Sequence, residues 1–323
     1  MTTTDSPSGS TPPDRTQPDP AQPKPTGQSA GGSDPTSLLA GLKTRNPLPA
    51  EEKWRLSLPA GVIASLVVIA LLVIALIVPG LLAPYDPFAI DLDATLQPPS
   101  WAHWFGTDLS GRDLLSRIIY GTRESLGIGL GAVGVATVLA IVFGLAAGLS
   151  GRIAGALSNR WIEIMFAFPT VLLGLLLTSV FGPGAATLIF AIGIGIAPGY
   201  ARIVRGQVLA VRNAPYIEAA TALGHSRGRI LVQHIAPNSL RPMIVTVTLG
   251  VGQAIIWASG LAYLGLGVAP PAPEWGALLD SGRSYITVAW WLEIFPGLVI
   301  VVVALAFTTL GRHLGARLEG TRR

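Results

Sequence analysis

Charge is missing from five long stretches of this chain. No Asp, Glu, Lys or Arg occurs in the 30 residues between Arg55 and Asp86 or the 27 between Glu124 and Arg152. The same holds for the 38 residues between Glu163 and Arg202, the 32 between Arg241 and Glu274, and the 18 between Glu293 and Arg312. A helix crossing a bilayer needs about 20 mostly apolar residues. Four stretches therefore suit one helix each, and the longest suits two. It contains Phe181-Gly182-Pro183-Gly184, whose Gly and Pro supply a tight turn, so it reads as a helical hairpin. The expectation is an all-α, polytopic membrane protein with six transmembrane helices, near 58–82, 125–149, 161–181, 185–204, 243–266 and 294–311. A soluble fold would have to hide five long uncharged runs in 323 residues.

Composition agrees and excludes other classes. Only 12% of the residues are charged and 50% are hydrophobic, with a mean hydropathy of +0.55; a soluble domain carries about 25% charged residues. A net charge of +4 gives too sparse a positive field for a nucleic-acid binder. The chain has 0 cysteines, which excludes disulfide scaffolds, thiol catalysis and cysteine metal sites.

The placement of Lys and Arg predicts the orientation. With six spans and the N-terminus inside, the inner segments are the N-tail, the 150–160 loop, the 201–241 loop and the C-tail. They carry 18 of the 22 basic residues, and the outer segments hold only Arg112, Arg117, Arg123 and Arg283. Both termini are expected in the cytoplasm. The first apolar run is too long and too late for a cleaved signal peptide, so it reads as a retained anchor.

Residues 1–50 hold ten of the 26 prolines and no Leu before Leu38. Such a segment buries too little apolar area to offset its ordering entropy, so a disordered tail is expected. Residues 51–323 form the transmembrane domain. Lys43, Arg45, Lys53 and Arg55, next to the first span, read as a topology signal; contact with anionic lipid is the other reading. In the outer loop 84–123, Thr107, Asp108 or Ser110 is a candidate cap. Leu114, Leu115, Ile118 and Ile119 then share one face of a short amphipathic helix, expected to lie along the outer interface with Trp101, Trp104 and Tyr120.

The inner loop 201–241 carries six Arg and a single acid, Glu218. Tyr216 to Leu223 reads as helix, Gly224 as its break, and Ser226 to Ile235 as a second helix stopped by Pro237. Helix, glycine, helix suits a docking knob for a partner protein; a basic loop on lipid headgroups is the other reading.

Catalytic motifs are poor here. No Lys stands in a phosphate-binding Gly-Lys-Ser/Thr pattern. Gly224-His225-Ser226-Arg227-Gly228 matches the G-x-S-x-G nucleophile pattern, but helical sequence flanks it where a strand is required. His103, His225, His234 and His313 show no metal-ligand spacing. Glu163 and Glu293 border spans at interfaces, where they can pair or reach water. Gly127/Gly131 and Gly144/Gly148 permit close helix approach, and Pro169 and Pro198 interrupt the third and fourth spans.

The sequence Glu218-Ala219-Ala220-Thr221-Ala222-Leu223-Gly224, followed after nine residues by His234-Ile235-Ala236-Pro237-Asn238, resembles the EAA loop of bacterial ABC importer permeases. Further stretches narrow the resemblance to the C-type permease subunit of dipeptide and oligopeptide importers. They are Phe105-Gly106-Thr107-Asp108 with Gly111-Arg112-Asp113 and Leu115-Ser116-Arg117; Ala167-Phe168-Pro169; Ala201 to Gly206; and Tyr263 to Gly267 with Pro270-Pro271 and Glu274-Trp275-Gly276. The resemblance runs from about 55 to 318. The chain departs from it at Ala236, where Leu is usual, at Asn159-Arg160, where an acid is usual, and at Thr309 to His313.

The resemblance implies a type I ABC importer permease fold in the bacterial plasma membrane and no enzymatic activity in this chain. It implies a B-type permease partner, two ABC ATPase subunits that carry ATP and Mg, and an extracytoplasmic substrate-binding protein. The ATPase-coupling residues would be Glu218, Ala219, Ala220, Gly224, His234, Pro237 and Asn238. Glu218 would anchor the coupling helix by charge or capping, and Ala219 and Ala220 would keep its docking face small. The solute would be a di- or oligopeptide, with nickel chelates or other small solutes as alternatives. A secondary transporter, which would want ionisable groups at mid-depth, is the competing class.

Overall fold

Proline and glycine decide how the apolar runs become helices. The computed structural model describes residues 59–318. The tail expected at 1–50 and the cluster Lys43, Arg45, Lys53 and Arg55 lie outside the described residues. Helix α1 spans Ala60–Ile77 and ends at Pro79-Gly80. Its Val, Ile and Leu side chains are largely exposed on every face but one, as lipid permits. The Arg123 guanidinium donates to the α1 carbonyls of Leu76 at 2.9 Å and Ile77 at 3.2 Å. That places a cation at the negative end of the helix dipole.

Helix α2 spans Leu114–Leu149, α3 Arg152–Phe166, α4 Thr170–Phe181 and α5 Ala185–Arg212. The inner segment forms α6, Pro215–Ala222, α7, Arg227–Ile230, a π-helical turn at Leu231–Ile235, and α8, Ala236–Leu240. Helix α9 spans Met243–Leu261 and continues as a π turn to Leu266, α10 spans Trp275–Gly282, and α11 spans Trp291–Leu318. No strand occurs among the described residues; a lone antiparallel bridge joins Thr107 to Asp113.

The core lies where α2 meets α5 and α9. Ala132, Ala136 and Ala140 of α2 are fully buried, as are Leu188, Ile192, Val204 and Val208 of α5 and Ala254 and Ile255 of α9. Small residues on α2 let the neighbouring backbones approach. A Cβ at Gly144 would lie 2.6 Å from Val204 Cβ, and one at Gly148 would lie 2.5 Å from Val208 Cγ1. Gly131 meets Ile189 in the same way, whereas Gly127 faces open space.

Among the described residues, five helices are long and apolar enough to cross a membrane: α1, α2, α5, α9 with its π turn, and α11. The expected third span, 161–181, falls on a pair of helices, Gly155–Phe166 and Thr170–Phe181, bent by 81°, and makes a sixth span when the bent pair is counted as one. Pro169 lacks an N–H and clashes with a continuing helix, so the chain breaks there and restarts. Pro198 does not interrupt α5, which runs through it; one missing hydrogen bond is tolerated where a buried helix is held by its neighbours.

The outer loop also differs from the expectation. There is no separate amphipathic helix at the interface, because Leu114 opens a continuous 36-residue helix. At 1.5 Å per residue that is about 54 Å, more than the roughly 30 Å hydrocarbon layer, so the first turns form a stalk beyond it. Asp113 caps this helix, accepting from the Ser116 N–H at 2.8 Å, in place of Thr107, Asp108 or Ser110. Leu114 and Ile118 are buried, and so is Arg117. The polar face is paired inside the protein rather than turned to water. Trp101 and Trp104 do stand exposed, as interfacial aromatics would.

Candidate functional site

The residues singled out in the inner loop form a knob between α5 and α9. Pro215 starts α6 at a position whose N–H needs no partner. Ile217 and Ala220 are buried and seat the helix on the chain's own core. Tyr216, Glu218, Ala219 and Leu223 stay exposed, Leu223 at 77%. Ala219 and Ala220, about 100° apart on the helix, thus differ in exposure, and of the two Ala219 belongs to the free face. Ala220 is small because the interior requires it.

Glu218 lies in the first turn of α6, where a carboxylate meets the positive end of the helix dipole. It makes no capping hydrogen bond and no ion pair among the described residues, so charge rather than capping is its contribution. Gly224 has a φ of +79°, the left-handed C-terminal position that favours glycine. The N–H groups of Gly224 and His225 close the helix on the carbonyls of Thr221 at 3.0 Å and Ala220 at 3.2 Å. Ser226 then caps α7, accepting from the Arg229 N–H at 3.3 Å.

Pro237 does not stop the second helical run. The chain passes from α7 through the π turn into α8, with Pro237 near the start of α8. The Ala236 N–H reaches back five residues to the Leu231 carbonyl. This wider turn admits the proline ring that a regular helix would reject. Asn238 Nδ2 donates to the His234 carbonyl at 2.7 Å. The His225 and His234 rings lie parallel, 6.1 Å apart, which ties the glycine break to the π turn. Glu218, Ala219, Gly224, His234, Pro237 and Asn238 therefore share one projection between α5 and α9, and Ala220 lies beneath it. No group of three His, Cys, Asp or Glu side chains among the described residues is placed to hold a metal.

A second constellation lies where the segment before α2 meets the segment before α10. Asp108 accepts from Arg112 Nε at 2.7 Å, from the backbone N–H groups of Ser110 and Arg112, and from Arg117 Nη1. Arg117 Nη2 donates to the Pro271 carbonyl at 3.1 Å. Asp113 accepts from the Ser116 hydroxyl at 2.7 Å and pairs with His103 Nδ1 at 2.9 Å. Glu274, fully buried, caps α10 by accepting from the N–H groups of Gly276 at 2.9 Å and Ala277 at 2.8 Å. Burial pushes its carboxyl above the usual carboxylate range, against the pull of those hydrogen bonds. The motifs Phe105 to Arg117 and Pro270 to Gly276 thus interlock. Sequence reasoning saw each motif but not their contact; the only signal was unusual charge in an outer loop of a charge-poor chain.

Residues 140–320 match the family described as Binding-protein-dependent transport system inner membrane component. The chain belongs to that family. It is a multi-pass bacterial membrane protein and a transport permease of the ABC importer type. It is 39% identical over 279 residues to the probable D,D-dipeptide transport system permease protein DdpC of Escherichia coli (strain K12), covering 86% of this chain and 94% of that one. It is 44% identical over 224 residues to the dipeptide transport system permease protein DppC of Alkalihalophilus pseudofirmus, covering 69% and 74%. It is 39% identical over 273 residues to the glutathione transport system permease protein GsiD of Pectobacterium atrosepticum, covering 84% and 91%. The fold is similar to that of a crystal structure of an amino acid ABC transporter with histidines, with a TM-score of 0.51, 19% identity, and coverage of 62% of this permease and 94% of that chain.

Proposed function

We propose that this permease is the C-type subunit of an ATP-driven peptide importer. The relatives named for D,D-dipeptide, dipeptide and glutathione transport carry the solute class and favour a peptide over a nickel chelate. A secondary transporter finds no support in that kinship. The pathway forms with a second, B-type permease. Both termini lie in the cytoplasm, as the basic residues favour. ATP and Mg act on two partner ATPase subunits, and an extracytoplasmic binding protein delivers the solute.

The observation that carries the coupling is the α6 knob. It exposes Tyr216, Glu218, Ala219 and Leu223 while Ile217 and Ala220 anchor it to the core. A small, apolar-tipped helix with one carboxylate fits a groove on an ATPase subunit. Closure of the ATPases on ATP then moves α6. Gly224 and the π turn before Pro237 pass that motion through α8 into α9. Reconstituted with its partners in liposomes, Glu218→Lys or Gly224→Pro should leave the complex inserted and ATP still hydrolysed, with peptide uptake lost. Normal uptake by both variants would refute the coupling assignment.

A further inference from the structure

Hydroxyls on apolar helices satisfy themselves by bonding the carbonyl one turn back. Ser65, Thr137, Thr178, Thr248 and Thr308 all do so at 2.7–2.8 Å. Ser259 of α9 does not. It is only 4% exposed, and its Oγ has no hydrogen-bond partner among the described residues. It lines a cavity of about 340 Å³ between α9, α10 and α11. Glu293, in the first turn of α11, lines the same cavity, and its Oε1 is likewise buried without a partner. Tyr263 forms another wall, and Arg283 lies over its ring with Cζ 5.6 Å from the centroid. The charges that Glu293 feels are those of Arg283 and Asp280. Ile256, Leu279 and Ile300, with Gly260 and Gly297, make the rest of the lining.

Two unsatisfied oxygens, one of them on a carboxylate, call for a ligand that is all donor. A primary ammonium brings three N–H donors and a compensating charge. A neutral hydroxyl would bring no positive charge, leaving Arg283 to face both Glu293 and Asp280, and a metal ion would find no third ligand among the described residues. Arg283 does not line the cavity, but its exposed guanidinium stands over the Tyr263 wall and within reach of the Glu293 charge, where it is the complementary donor for a carboxylate.

We propose that this cavity is a zwitterion subsite that holds a small peptide by its ends, the free ammonium on Glu293 and Ser259 and the carboxylate on Arg283. The subsite rests on the peptide-importer reading and adds to it a selectivity belonging to the permease itself, independent of the binding protein.

The test uses the assembled transporter, purified in detergent without its binding protein. Equilibrium binding of radiolabelled Ala-Ala is measured, with N-acetyl-Ala-Ala and Ala-Ala amide as competitors. Loss of one charge-assisted hydrogen bond is worth about tenfold in affinity, so Glu293→Gln should bind about tenfold more weakly. Both blocked peptides should compete poorly with Ala-Ala. Ser259→Ala and Arg283→Gln should also weaken binding, and they carry the test should Glu293→Gln fail to assemble. Wild-type affinity in these variants overturns the subsite. So does equal competition by the blocked peptides, or a wild-type complex that imports Ala-Ala with its binding protein yet does not bind it alone. A wild-type complex that imports another solute but not Ala-Ala or longer peptides overturns the peptide reading, and the subsite with it.

Discussion

The backbone N–H of Trp275 donates to Ser125 Oγ at 3.0 Å, joining residues 150 positions apart. Ser125 Oγ in turn donates to Glu274 Oε1 at 3.3 Å, and Trp275 Nε1 donates to the Ile118 carbonyl at 2.9 Å. Gly121 lets the two segments meet, since a Cβ there would lie 1.9 Å from the Pro273 carbonyl oxygen. The start of α2 and the start of α10 are thereby fixed to each other. This clamp adds buried polar contacts to the apolar packing of Trp275 among Leu114, Ile118 and Leu278 in the core.

Removing the Glu274 carboxylate should loosen that clamp. Glu274→Ala leaves the Gly276 and Ala277 N–H groups unsatisfied in a buried site, at a cost of about 2 kcal/mol or more. The expected outcome is a lower unfolding temperature in detergent. The pH dependence has a definite sign. Burial raises the Glu274 pKa above its ordinary 4.5, so the folded chain holds this proton more tightly than the unfolded chain. Its contribution is greatest below pH 4.5, declines as pH rises from there through the raised value, and is constant beyond. Glu274→Gln, which cannot ionise, should flatten that decline. An unchanged profile would count against a buried, titrating Glu274.

Asp108 and Arg117 make a second prediction. Their side chains are 6% and 5% exposed, and the pair sits inside the stalk of α2. Breaking a buried pair by deleting one partner costs about 3–5 kcal/mol, because the other charge is left uncompensated. Arg117→Ala and Asp108→Ala should each impair folding, measured as yield of monodisperse protein and as unfolding temperature. The exposed pair Arg160 and Glu163, at 3.4 Å, is the control. Arg160→Ala should change stability by less than about 1 kcal/mol.

The legibility of this chain tracks the range of its interactions. The six apolar runs, the Gly182 to Gly184 turn and the inner knob were readable, because hydrophobic runs and turn residues act locally. Glu218 and Gly224 were readable as a helix acid and a break for the same reason. What escaped was non-local. Whether Leu114 to Tyr120 lies on the membrane or stands as a stalk depends on Asp108, Pro271 and Glu274, which meet only in the fold. Proline was ambiguous in three cases. Pro169 breaks its span, Pro198 is absorbed in α5, and Pro237 is absorbed by a π turn, so the outcome depends on neighbours rather than on the residue. Glu293 read as an interfacial acid, and only the structure shows that it lines one cavity with Ser259, both with unpartnered oxygens.

The glycines of α2 offer a prediction with its own control. They look alike in sequence, as two G-x-x-x-G pairs, yet the structure separates them. A Cβ at Gly144 would meet the Ala201 carbonyl oxygen at 2.8 Å as well as Val204 Cβ at 2.6 Å, so α5 itself would have to move. At Gly148 the obstacle is Val208, with Cγ1 at 2.5 Å and Cβ at 2.7 Å; a Cβ does not move when the side chain turns, so α5 would have to shift there too. At Gly127 there is nothing within 4 Å. Overpacking a tight contact costs about 1–3 kcal/mol, while Gly→Ala in a helix returns about 1 kcal/mol of propensity. Gly144→Ala and Gly148→Ala should therefore both destabilise, and Gly127→Ala should be neutral or stabilising. Unfolding temperatures of the three purified variants in one detergent check the order. Equal effects at 127 and 144 would mean that α2 does not pack on α5 through this seam.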